Sequence, residues 1–136
     1  MGLQASMDIY FKDLSFEKVI EQLSNNWQFN DYGSITYMDN SDFEWKSGSL
    51  NDKKFIFNNL NKKYESNSTI GIVLITLDNS GGMFIFYPNE NLLSIIININ
   101  RKTNSNTIFT DFSYYIERMN SVLYNNVLKI VYTDIL

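Results

Sequence analysis

The chain has 136 residues and a formal net charge of −4, and its 44% hydrophobic and 15% aromatic residues are enough to build the core of one domain. It contains neither Cys nor His. That excludes disulfides and thiol chemistry and removes the commonest general base and zinc ligand, so any catalyst here would have to use carboxylates, Lys or Tyr.

Residues 1–6 carry no periodicity and read as a leader ahead of a natural start at Met7, which leaves 7–136 as a single domain. Nothing at this start reads as a secretory or transit signal, which fits a cytoplasmic protein. The abundance of Asn, Ile, Lys, Tyr and Phe, all with A/T-rich codons, suggests a low-GC bacterial source. Asp8-Ile9-Tyr10-Phe11 predicts a short strand. Asp13 or Ser15 can cap a helix that places Glu17 in its first turn, with Phe16, Val19, Ile20, Leu23 and Trp27 at helical spacing. Asp31-Tyr32-Gly33 makes a turn. Ser34–Met38 and Phe43–Lys46 predict a hairpin around Asp39-Asn40-Ser41-Asp42. Ser49–Tyr64 predicts a helix with Leu50, Phe57, Leu60 and Tyr64 as its stripe; Phe55 and Ile56 blur the pattern, and a strand over Lys54–Phe57 is the alternative.

The densest apolar stretch, Thr69–Ile99, predicts three consecutive strands. Ile70, Ile72 and Leu74 oppose Val73, Ile75 and Leu77, so the first of these strands should be covered on both faces. Its turn, Asp78-Asn79-Ser80-Gly81-Gly82, offers glycines able to take positive φ. Turns also interrupt the apolar residues too often for a membrane span. After a polar loop at Arg101–Asn106, Thr110–Leu123 predicts a helix whose face is Phe109, Phe112, Ile116, Met119 and Leu123. Val127–Thr133 is a last strand. The order β-α-ββ-α-βββ-α-β is that of an α+β domain: a largely antiparallel central sheet with two or three helices mainly on one face and part of the other face open.

Charge is spread unevenly. Residues 1–50 hold three cations against eight anions. An acidic first third argues against nucleic acid as a partner and suits a basic protein surface. The candidate site lies there. Asp39, Asp42 and Glu44 are interleaved with Tyr37, Phe43 and Trp45, and Asp31 and Tyr32 lie just upstream. Aromatic anchors ringed by acids are what a protein surface uses to grip a basic partner. The competing reading is an ordinary acidic turn with its aromatics packed inward. A calcium loop fails on spacing, because the acids fall at positions one, four and six with no glycine at the sixth. Gly81-Gly82 joins strand to strand, so it is not a dinucleotide-binding loop. Glu17 and Glu21, one helical turn apart, match a solvated helix face better than a hydrolytic acid pair.

Taken from the Met7-Asp8-Ile9-Tyr10-Phe11 start through the Phe16–Trp27 helix to the meander, the chain resembles the small α+β immunity proteins encoded beside bacterial polymorphic or contact-dependent toxins. The resemblance implies a non-enzymatic inhibitor without catalytic residues, cofactor or metal. It implies one-to-one binding of a cognate toxin domain, often a basic nuclease, and neither nucleic acid nor membrane as partner. A small enzyme or a ligand-binding regulatory domain using carboxylate or Tyr chemistry is the alternative. The chain itself would be a monomer, or a homodimer formed on the edge strand Val127–Thr133.

Overall fold

The computed structural model describes residues 4–29, 33–124 and 126–135. Its elements run β1 (Gln4–Phe11), α1 (Phe16–Leu23), β2 (Trp27–Gln28), β3 (Ser34–Met38), β4 (Lys46–Ser49), α2 (Lys53–Glu65), β5 (Ile70–Thr76), β6 (Gly81–Tyr87), β7 (Leu92–Ile99), α3 (Phe112–Glu117), α4 (Asn120–Leu123) and β8 (Val127–Ile135). The strands form one eight-stranded sheet in the order β4-β3-β5-β6-β7-β1-β8, with β2 paired to β5, and their pairings are antiparallel. This is the α+β architecture that the element order predicts.

Register fixes which residues share a face. Ile70, Ile72 and Leu74 of β5 stand opposite Phe86, Phe84 and Gly82 of β6. Phe86 and Phe84 in turn stand opposite Leu93 and Ile95, which oppose Ile9 and Met7 of β1. The large residues of this set are buried, and they form the floor of the core. The helices close over it. The Phe16 ring meets Phe86 edge-on at 5.0 Å, and Tyr64 of α2 meets the same ring at 6.4 Å. Trp27 meets Phe84 at 5.0 Å and stacks on Tyr115 of α3 at 6.5 Å. Aromatic contacts of this geometry contribute about 0.5–1.5 kcal/mol each beyond their buried area. On the opposite face Ile75 and Ile85 are also buried, while Val73, Met83 and Ile96 are half-buried and Val131 is exposed, so that face is only partly covered.

Several boundaries differ from the sequence reading. Ser15 caps α1, accepting from the Lys18 N–H at 3.3 Å, and the helix stops at Leu23. Trp27 therefore lies in β2 rather than on the helix, with its indole N–H donating to the Arg118 carbonyl at 2.9 Å. The strand expected at Asp8–Phe11 starts at Gln4; Ala5 is buried, and Ser6 pairs with both β7 and β8, so residues 4–6 of the expected leader are part of the sheet. Leu50 opens a short 3-10 turn ahead of α2 and is exposed, and Ile56 joins Leu60 as the buried stripe. The helix expected over Thr110–Leu123 breaks between α3 and α4, and its buried residues are Tyr115, Met119 and Val122, while Phe109 is exposed.

At the β5–β6 turn the positive φ belongs to Asn79, at 61°, and not to either glycine. Gly81 and Gly82 are needed for space: a Cβ at Gly81 would strike the Leu74 carbonyl oxygen and one at Gly82 the Ile96 carbonyl oxygen, where the β6–β7 register shifts. Glycine in a strand interior marks such a close backbone approach.

Candidate functional site

The acidic hairpin is anchored from below by three contacts. β3 and β4 pair from Ser34↔Ser49 to Tyr37↔Lys46, so the second strand begins at Lys46 rather than at Phe43, and residues 39–45 form its loop. Asp39 opens the loop. Its side chain is 14% exposed, and it accepts from the Lys46 ammonium at 2.7 Å and from the Asn59 amide of α2 at 3.1 Å. Burial alone would raise the Asp39 pKa, but the bond and charge of Lys46, helped by Asn59, outweigh it and hold the carboxyl below its ordinary value. The bond to Asp39 correspondingly raises the Lys46 pKa. Ser41 Oγ accepts from the Thr69 N–H at 3.2 Å, which fixes the loop to the start of β5.

Trp45 closes the loop on the partly covered face of the sheet. Its ring lies over Gly71, where a Cβ would come within 2.7 Å of the indole. An aromatic ring over a strand glycine fills the side-chain space that the glycine leaves empty. Tyr37 is half-buried on the opposite, helix-covered face, paired with Ile72.

The loop tip stands out from this support. Asp42, Phe43 and Glu44 are all exposed. Asp42 accepts from the Glu44 N–H at 2.9 Å and so shapes the turn between them. Phe43 has φ of 60° and remains 48% exposed. The other non-glycine residues with positive φ among those described are all asparagines: Asn67, Asn79, Asn91, Asn100, Asn106 and Asn126. Asparagine tolerates the left-handed region, whereas a bulky residue there is an outlier.

Of the sequence-predicted site residues, Asp42, Phe43 and Glu44 converge on one exposed tip. Asp39 and Trp45 hold its base, while Tyr37 packs against the core on the helix-covered face. Asp31 and Tyr32 lie outside the described residues. Phe55 was missed: it is 76% exposed, one helical turn before the Asn59 that holds Asp39, and so on the same side of α2. Its position off the Phe57–Leu60–Tyr64 stripe was the available signal.

The hollows in the surface lie elsewhere. One of about 230 Å³ is lined by Ile20, Leu23, Trp27, Phe29, Phe57 and Leu74 among others, and its neighbour of about 260 Å³ is bordered by Glu17, Glu21 and Lys53. Glu17 there accepts from the Asn61 amide at 2.8 Å. Among the described residues no group of three or more acids is placed to hold a metal ion, and no helix is long and apolar enough to cross a membrane. No protein-family model, curated protein or solved structure matches the chain.

Proposed function

We propose that this chain is a non-enzymatic protein-binding module of the immunity type, which binds and neutralises a cognate bacterial toxin domain with Asp42, Phe43 and Glu44 as its grip. Phe43 carries the reading. A left-handed backbone costs an ordinary residue on the order of 1–2 kcal/mol, and here it presents a large apolar ring to water rather than to the core. Strain of this kind persists only where the surroundings impose it, and it clusters at working sites. The Asp39–Lys46–Asn59 cluster and the Trp45–Gly71 contact supply that imposition.

Two exposed carboxylates flanking an aromatic anchor form a small version of an interface core with a charged rim. Their sign suits a basic partner, such as the phosphate-binding surface of a nuclease, and would speed the encounter between the two. Phe55, one helical turn before the Asn59 that bonds Asp39, is a second exposed ring. The division of labour is that Asp42, Phe43 and Glu44 touch the toxin domain while Asp39 and Trp45 hold them in place.

The test is to co-express the tagged chain with the product of the adjacent reading frame in its source. The reading expects a stoichiometric complex and suppression of that product's toxicity. Absence of both would refute it and would turn attention to carboxylate or Tyr chemistry and to ligand binding.

A further inference from the structure

Away from the hairpin, α1, β2 and the first turn of α2 enclose a depression on the helix-covered side of the sheet. Its two hollows, of about 230 Å³ and about 260 Å³, share Ile20, Ser24, Lys53 and Phe57 and so are parts of one depression. The inner hollow is apolar, with Leu23, Trp27, Phe29 and Leu74 completing its lining beside Ile20 and Phe57. The outer hollow carries the charge. Glu17 and Glu21 stand on its α1 wall and Lys53 on its α2 wall. The Lys53 ammonium lies over the Phe29 and Phe57 rings, 5.5 and 5.8 Å from their centroids. Glu17 accepts from Asn61. Among the described residues, neither the Glu21 carboxylate nor the Lys53 ammonium has a hydrogen-bonded or ionic partner. The helix ends repeat this division of charge. α1 terminates beside the depression at Leu23, and α2 begins there at Lys53. A helix C-terminus favours a cation and an N-terminus an anion.

We propose that this depression binds a free α-amino acid with an apolar side chain. The side chain fills the inner hollow, the carboxylate meets the Lys53 ammonium, and the amino group, as its ammonium form, meets the Glu21 carboxylate. Size and charge both select this class. An apolar cavity of about 150 Å³ is enough to hold benzene, so the inner hollow of about 230 Å³ has room for a benzyl group. Small-molecule sites combine such an apolar lining with a few polar groups that fix orientation. An apolar monocarboxylate would set its anion beside Glu17 and Glu21, and an apolar amine would leave Lys53 without a counter-charge; a zwitterion complements both walls. A residue within a peptide carries at most one of the two charges, so the side chain of a partner protein would use the inner hollow alone. The hollows share no residue with the Asp42–Glu44 tip, and the site stands independently of the grip proposed above.

Heteronuclear NMR of the isotope-labelled full chain, titrated with L-phenylalanine, tests this. The Trp27 indole N–H should shift along a saturating curve, while that of Trp45, which lies over Gly71 on the other face of the sheet, stays in place. Hydrocinnamate and phenethylamine each keep one of the two charges and should bind about two- to fivefold more weakly, the range of an exposed ion pair. Lys53→Met should abolish the preference for L-phenylalanine over phenethylamine and keep that over hydrocinnamate. Glu21→Gln should do the reverse. Both side chains are exposed, so both variants should retain the wild-type spectrum away from the depression. Absence of a saturable Trp27 shift up to the solubility limit of L-phenylalanine would overturn the proposal. So would variants that rank the three ligands as the wild type does. N-acetyl-L-phenylalanine amide binding as tightly as the free amino acid would assign the hollow to a partner protein's side chain, and would overturn it equally.

Discussion

Replacing Asp39 by Ala should destabilise the fold by about 1–2 kcal/mol, although Asp39 belongs to a surface loop. The Asp39 side chain is largely buried and the Lys46 side chain about half exposed, at 14% and 49%. Exposed ion pairs contribute about 0.2–1 kcal/mol, and a charge-assisted hydrogen bond away from water about 1.5–3 kcal/mol. With one partner in solvent, about 1 kcal/mol is the reasonable figure for this bond. The Asn59 amide would lose its acceptor as well, at a further cost of about 0.5–1 kcal/mol. For a domain of this size the sum lowers Tm by roughly 3–8 °C. The effect should depend on pH with a definite sign. Because the folded-state pKa of Asp39 is lowered, the native state binds that proton less tightly than the unfolded chain does. The stabilisation is full above the unfolded value of about 4 and fades as pH falls through the folded value. The raised Lys46 pKa adds the mirror condition: its share is present below 10.5 and is lost as pH rises through the folded value. Urea unfolding of wild type, Asp39→Ala and Glu44→Ala at pH 7 and in acid reads both features. Glu44→Ala should stay within about 0.5 kcal/mol of wild type. Equal stability of the two variants at pH 7, or a wild-type-to-Asp39→Ala gap that persists unchanged in acid, would refute the assignment of Asp39 as a support.

Two further predictions concern the scaffold. Gly71→Ala should displace the Trp45 ring, with a loss of about 1–3 kcal/mol and a red shift of tryptophan emission; an unchanged spectrum would mean that Trp45 does not rest on Gly71. Tyr64→Phe removes the hydroxyl that donates to the Leu14 carbonyl at 2.7 Å and should cost about 1 kcal/mol near neutrality. Burial pushes the Tyr64 pKa up to about 12, so its stabilisation is full below the unfolded value of 10.0 and is lost as pH rises toward 12. Thermal melts from pH 8 to 12 should therefore show the two proteins converging in alkali, and a constant difference would contradict the assignment.

The central strands were legible because β5 is apolar on both faces and its neighbours are bounded by turn residues. Long-range satisfaction was not legible. Trp27 fits the spacing of the preceding helix, but its indole is bonded to Arg118, which no local pattern records. The break between α3 and α4 falls inside an unbroken apolar period, so the buried stripe shifted to Tyr115, Met119 and Val122. In the candidate site, residue type alone could not separate Asp39 from Asp42, since the difference is made by Lys46 and by Asn59, twenty positions away. The left-handed backbone of Phe43 leaves no mark on composition or spacing. Phe55 could have been recognised, because an apolar residue off the buried stripe of a helix faces water.

The most direct test of the account is the affinity of the adjacent reading frame's product for the wild-type chain and for a Phe43→Ala/Asp42→Lys/Glu44→Lys variant, measured by titration calorimetry with the fold checked by circular dichroism. An anchor residue with a charged rim implies a loss of at least about 2 kcal/mol, some thirtyfold in Kd, with the fold intact. Equal affinity of a folded variant would contradict the assignment of the Asp42–Glu44 tip as the grip.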